Sequence, residues 1–375
     1  MMTVGAISSE NLGVSGLSDS SKQTPLPLSK RLEGVVQKVL NCLYSKWALI
    51  GAVGCLVGAC FGAAVGLGVA LTGVLIALML DRNRKKKAVP VVPMEFVLPN
   101  GQAGSPEYNK AIFMQTMEAI QKGKGIDPEL YQQSLDGARV SLGEELAGEA
   151  PAAPAQTKFL FEPITTFAML QRLVNEGRRP LVLDMANGAV PGGAVLGGSN
   201  AQEETLCRQS TLYPALKKLN YPLPEFGGAF VPHVQFFRDD AYKGIRPLVV
   251  DVFASAAYDC NLSHKPGSLG LGYNRPVDEE AYRNGMKGKI RAMLRTAIAN
   301  GNRALVLSGW GCGAYENDTN VVANLYRDVF MELEFNGAFD VVAFGIYRPE
   351  DPNDWEIFQW CFNRPSWSKE PRYLL

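Results

Sequence analysis

The chain has 375 residues, with 37 lysines and arginines balanced against 37 aspartates and glutamates. Zero formal charge argues against a nucleic-acid groove built on bulk positive charge. Only two histidines, His233 and His264, and no CxxC pair argue against a zinc site and a Ser-His-Asp triad. Seven cysteines (Cys42, Cys55, Cys60, Cys207, Cys260, Cys312 and Cys361) are an odd number. They read as free thiols of a reducing compartment. No cofactor and no metal is implied.

Residues 1–28 are polar and Ser-rich and read as a disordered tail. They lack the basic start and apolar core of a secretory signal. Residues 29–87 read as an amphipathic helix, a membrane segment and a basic flank. In 29–45, Leu32, Val35, Val36, Val39, Leu40 and Leu43 recur at helical spacing. Residues 47–80 contain no charge. As one helix they would span roughly 50 Å, against a hydrocarbon core of about 30 Å. Three readings stay open: a hairpin turning near Gly66-Leu67-Gly68, a single tilted span, or a buried helix. Gly54, Gly58, Gly62 and Gly66 form a ridge of small residues that suits helix–helix self-association. The cluster from Arg82 to Lys87 marks a cytoplasmic side and suits anionic lipid. This layout resembles inclusion-membrane proteins secreted by chlamydia-like bacteria. It implies a membrane-anchored protein whose folded domain faces a cytosol, in a host-derived membrane if the protein is secreted.

Residues 88–156 read as linker and helical region. Prolines and glycines fill 88–104, helical spacing covers 106–122, and 138–156 is rich in Ala, Glu and Pro. From 157 onward strands and helices alternate, which predicts one α/β domain over 157–375. Strands are expected at 158–161, 179–185, 233–238, 247–253, 304–308 and 341–347. Helices are expected at 165–176, 202–218, 277–299, 319–334 and 353–363.

Two glycine-rich loops each follow a strand and precede a helix. The first contains Asp184, Asn187, Gly192, Gly193, Ala194 and Val195, then Gln202-Glu203-Glu204. The second runs Gly309-Trp310-Gly311-Cys312-Gly313-Ala314-Tyr315, with Asn317 beyond it. Strand–loop–helix junctions offer backbone N–H groups to phosphate. Three glycines spaced by two allow successive N–H groups to turn inward as an anion nest. Taken alone, the second loop is weak evidence and reads first as a structural turn. Carboxylates suit a helix N-terminus but repel phosphate, so Glu203 and Glu204 are either plain helix-start residues or groups acting at the far end of a phosphate-bearing ligand. Cys312 reads as a small buried residue. Phe236 and Phe237 read as core, and Trp355, Trp360 and Trp367 as packing.

Gly192-Gly193-Ala194, a seven-residue spacer and Gln202-Glu203-Glu204 resemble the signature of microbial-type poly(ADP-ribose) glycohydrolases, a branch of the macrodomain superfamily. Ala194 stands where that pattern has a third glycine. Its methyl is expected to restrict φ > 0 and crowd the ligand. The resemblance implies a macrodomain-like mixed sheet flanked by helices. It implies ADP-ribose, or poly(ADP-ribose) on modified proteins, as ligand. It assigns Glu204 the catalytic role and Glu203 a positioning role. Asp184, Asn187, Gly192, Gly193, Ala194, Val195, Gln202 and the second loop become ligand-binding, with Tyr315 against the ribose. The chemistry is coherent, because a ribose–ribose bond cleaves through an oxocarbenium-like state and needs one acid–base group. Three functions stay open: a glycohydrolase, a non-catalytic ADP-ribose reader, and a structural membrane scaffold.

Overall fold

A computed structural model describes residues 91–143, 156–264 and 273–364. The tail, the amphipathic helix, the membrane segment, its glycine ridge and Trp367 lie outside the described residues. No described helix is long and apolar enough to cross a membrane.

The first helices are α1 (Pro106–Gln121) and α2 (Pro128–Gly137), followed by β1 (Arg139–Ser141). Each helix starts on a side-chain cap. Ser105 accepts from the Tyr108 amide, and Asp127 from Glu129 and Leu130. Then come β2 (Lys158–Glu162), α3 (Thr166–Asn175), β3 (Pro180–Met185), α4 (Gln202–Gln209) and α5 (Leu212–Leu216). The long strands β4 (Gly228–Arg238) and β5 (Gly244–Ser255) form an antiparallel pair, and short β6 (Tyr258–Asp259) pairs with β7 (Tyr273–Asn274). The chain finishes with α6 (Glu279–Ala299), β8 (Ala304–Leu307), α7 (Thr319–Phe330), β9 (Val341–Gly345) and α8 (Asp354–Asn363).

Seven strands make one mixed sheet in the order β1-β4-β5-β3-β8-β9-β2. The β1–β4 and β4–β5 pairs are antiparallel and the rest parallel. Strand β3 is central and covered on both faces, as its unbroken apolar run requires. Leu181 and Leu183 point into a core shared with α6 and α7. Val182 points the other way, into a core shared with α3, α4 and α5. That alternation is the two-residue period of a strand sorting one segment between two layers.

Two expectations are corrected here. The helix expected over 202–218 is broken at Ser210 and Thr211. Ser210 is extended and bridges Phe236, while the Gln235 amide donates to Thr211 Oγ1 at 3.0 Å. Pairing with β4 outweighs the local helical pattern. The stretch read as linker and helical region also carries part of the folded body. Strand β1 extends the sheet, and α1 lies on α4, where Thr116 Oγ1 donates to the Arg208 carbonyl at 2.7 Å. Phe113 is buried edge-on against Tyr213.

Phe113→Ala should therefore destabilise the full chain by about 3–5 kcal/mol. Val97→Ala, at an exposed site on the same stretch, should stay within about 0.5 kcal/mol. Urea denaturation of the two variants checks this.

Candidate functional site

Strands β3, β8 and β9 run parallel, so their C-terminal ends open on one edge of the sheet. Ligands of open α/β sheets bind at that edge. A cavity of about 620 Å³ lies there. Its walls come from the loops after β3, β8 and β9, from the start of α4, and from the turn after β5. Met185, Asn187, Ala194, Gln202, Glu203 and Glu204 form one side, and Gly309, Trp310, Gly311, Gly313, Ala314 and Tyr315 another. A smaller hollow of about 170 Å³ adjoins it, lined by Thr165, Gln209, Asp240 and Tyr347 among others.

The first loop is built around the two glutamates. Glu203 accepts from the Asn187 amide at 2.7 Å through Oε2 and from the Gly192 amide at 3.0 Å through Oε1. Glu204 Oε1 accepts from the Ala194 amide at 2.9 Å. Glu204 Oε2 is buried and has no hydrogen-bond partner. Gln202 ties the helix start to the end of β3. Its Oε1 accepts from the Met185 amide at 2.8 Å, and its Nε2 donates to the Leu183 carbonyl at 2.8 Å.

This changes the expected part of the first loop. The amides of Asn187, Gly192 and Ala194 face carboxylates of their own chain, so the loop cradles the glutamates. Gly193 has φ +54°, and a Cβ there would stand 2.5 Å from Glu204 Oε1. That is why glycine is needed at this position. Ala194 has φ −94°, a conformation open to any L-residue. The expected backbone restriction at Ala194 is overturned, because the position does not use positive φ.

The second loop uses some of its amides internally and leaves two without a bond to a described residue. The Trp310 and Cys312 amides donate within the loop to Ser308 and Gly309. Those of Gly311 and Gly313, which alternate with them, bond to no other described residue. Asn317 pins the turn, its Nδ2 donating to the carbonyls of Tyr258 at 2.8 Å and Gly311 at 3.0 Å.

Not every expected residue reaches the cavity. Asp184, Gly192, Gly193, Val195, Cys312 and Asn317 lie behind the lining. Val195 is core, and Asn317 acts on the loop from behind. The Trp310 ring is buried and donates to the Ser255 carbonyl at 3.1 Å, so that side chain is structural. Burial pushes the Cys312 thiol up to about 12, which fits a packing residue and not a nucleophile. Phe236 and Phe237 are buried, and Trp355 and Trp360 pack against the core, as expected. The residues missed from sequence include Asn200, Ala257, His264, Tyr347, Arg348 and Glu350, which also line the cavity. Tyr347 and Arg348 could have been found as the residues just past the end of β9.

Electrostatics at the glutamates is strained. Asp184 is fully buried, and neither carboxylate oxygen has a partner. Burial, then the Glu204 charge, pushes it well above the usual carboxylate range. Burial, then Asp184, does the same to Glu203, despite the two amides it accepts. Burial, then Glu203, Asp259 and Glu204, pushes the Tyr315 hydroxyl up. Among the described residues no group of His, Cys, Asp and Glu is placed to hold a metal.

Comparison with known proteins agrees with this architecture. Residues 109–226 match the family model described as microbial-type PARG, catalytic domain. That match begins inside α1, well before residue 157. The structure of poly(ADP-ribose) glycohydrolase from Thermomonospora curvata bound to the inhibitor ADP-HPD is similar. It shows 26% identity and a TM-score of 0.57, over 68% of this chain and 98% of that one. The enzyme from Deinococcus radiodurans in complex with ADP-ribose shows 26% identity and a TM-score of 0.52, over 62% of this chain and 97% of that one. The chain carries a PARG-like hydrolase catalytic domain. No curated protein sequence matches it. The β3, β8 and β9 loops of this PARG-like domain are the ones that form the cavity.

The raised carboxyls set a pH dependence. A carboxyl with a raised folded pKa favours folding most when protonated, and that contribution fades as pH rises above the ordinary carboxylate range. Asp184→Asn removes one such group. Its stability relative to wild type should rise between about pH 5 and pH 8, which paired denaturation curves would measure.

Proposed function

We propose that the chain hydrolyses the ribose glycosidic bond of poly(ADP-ribose) or of ADP-ribosylated targets, with Glu204 as the acid–base residue. One observation carries the reading. Glu204 Oε1 is fixed by the Ala194 amide, while Oε2 is buried at the cavity wall without a partner. An unpartnered carboxylate oxygen beside an anion site weakens simple ligand binding. Its presence is accounted for if it handles a proton, first protonating the leaving hydroxyl and then accepting one from water. Glu203 positions the ligand-side loop through Asn187 and Gly192. The free amides of Gly311 and Gly313 receive the diphosphate. Tyr315 packs on the ribose, and the hollow beside Tyr347 and Asp240 takes the adenine end.

Glu204→Gln should keep ADP-ribose affinity within about threefold, because it preserves shape and the Ala194 contact. It should lower hydrolysis by at least about 10²-fold. Calorimetry with ADP-ribose and release of label from polymer measure the two. Equal loss of both would sink the acid–base assignment.

We also propose that the uncharged run 47–80 and its basic flank anchor the protein to a membrane, the catalytic domain facing a cytosol and the glycine ridge allowing self-association. Full-length protein should float with liposomes containing anionic lipid, and residues 88–375 should not. Recovery of both in the soluble fraction would end this reading.

A further inference from the structure

We propose that His264, its ring held by Asp259, binds the diphosphate of the ADP-ribosyl group from the cavity rim beside the second glycine loop. The proposal rests on the ADP-ribose reading given above.

The turn carrying His264 is stitched to that loop. The Cys260 amide donates to the Tyr315 carbonyl at 2.8 Å, and Asn261 Nδ2 donates to the Ala314 carbonyl at 3.1 Å. Within the turn, His264 Nδ1 meets Asp259 Oδ2 at 2.9 Å. The Asp259 side chain is 7% exposed and that of His264 is 25% exposed, and His264 lines the cavity. A buried carboxylate on one ring nitrogen fixes the orientation of an imidazole and leaves its other edge, Nε2, for a ligand.

Charge supports the same assignment. The described lining carries the carboxylates of Glu203, Glu204 and Glu350, while the side chains that can be cationic there are Arg348 and His264. Arg348 is already shared among Glu350, Asp351 and Asp354. A diphosphate entering beside the carboxylates of Glu203 and Glu204 needs a donor beyond backbone amides. Between a carboxylate on one edge and a phosphate on the other, a doubly protonated ring donates to both. Asp259 is then a positioning residue acting through His264.

Calorimetry with ADP-ribose on the full chain tests this. His264→Ala should weaken binding about tenfold. His264→Gln, whose amide N–H reaches toward the place of Nε2, should recover to within about threefold of wild type. Asp259→Asn should weaken binding several-fold in the wild-type background and add no further loss to His264→Ala. Melting temperatures verify that each variant is folded. Affinity unchanged in folded His264→Ala would overturn this proposal alone. Full additivity of the two substitutions would also overturn it, since it would make the pair structural. No ADP-ribose binding by wild type would overturn the parent reading as well.

Discussion

The site depends on two adjacent carboxylates at the start of one helix taking the amides of a glycine-rich loop. Glu203 bridges Asn187 and Gly192, and Glu204 holds Ala194. These bonds fix where the loop after β3 stands relative to α4. They also use up the donors that would otherwise attract phosphate. The helix N-terminus and the amides supply partial positive charge. Against that, Asp184 lies buried and unpartnered behind the pair. Burial pushes the carboxyls of Asp184 and Glu203 well above the usual range. Of these two, Glu203 lines the cavity and Asp184 lies behind it.

The rest of the fold supports that placement. Gln202 clamps the helix start to the end of β3. Arg208, buried in α4, donates to the Ser199 carbonyl at 2.6 Å and to the Tyr242 hydroxyl at 2.8 Å. It thereby holds the connection between the glycine loop and the helix. Helix α1 backs the same loop, since Asn109 Nδ2 donates to the Gly198 carbonyl at 3.0 Å. The second loop is held from the other side by Asn317. The two loops therefore differ, one carrying the carboxylates and the other holding the Gly311 and Gly313 amides, which bond to no other described residue.

Much of this was legible in the sequence. The apolar run Leu181–Leu183 before a glycine loop announced a central strand, and the second run Ala304–Leu307 announced its neighbour. Helices were expected from 277 and 319, and the structure starts them at Glu279 and Thr319 on the side-chain caps Asp278 and Asp318. The glutamates were found by their place before a helical stretch. What spacing could not carry was direction. The glycines of the first loop looked like a phosphate cradle, because composition does not say where an N–H points. The break at Ser210 depends on pairing with a strand some twenty-five residues later. Strand β1 has three residues, too few to show alternation, so the edge of the sheet read as linker. His264 was passed over because its partner Asp259 becomes meaningful only once the turn is folded against the second loop.

The central claim is that this cavity cleaves what it binds. Incubating full-length wild-type protein with end-labelled poly(ADP-ribose), and following free ADP-ribose by chromatography, tests it most directly. The account predicts steady release of ADP-ribose that is blocked by saturating the site with the free product. Tight binding of ADP-ribose with no release from polymer or from mono-ADP-ribosylated protein would contradict it, and would make the domain a reader.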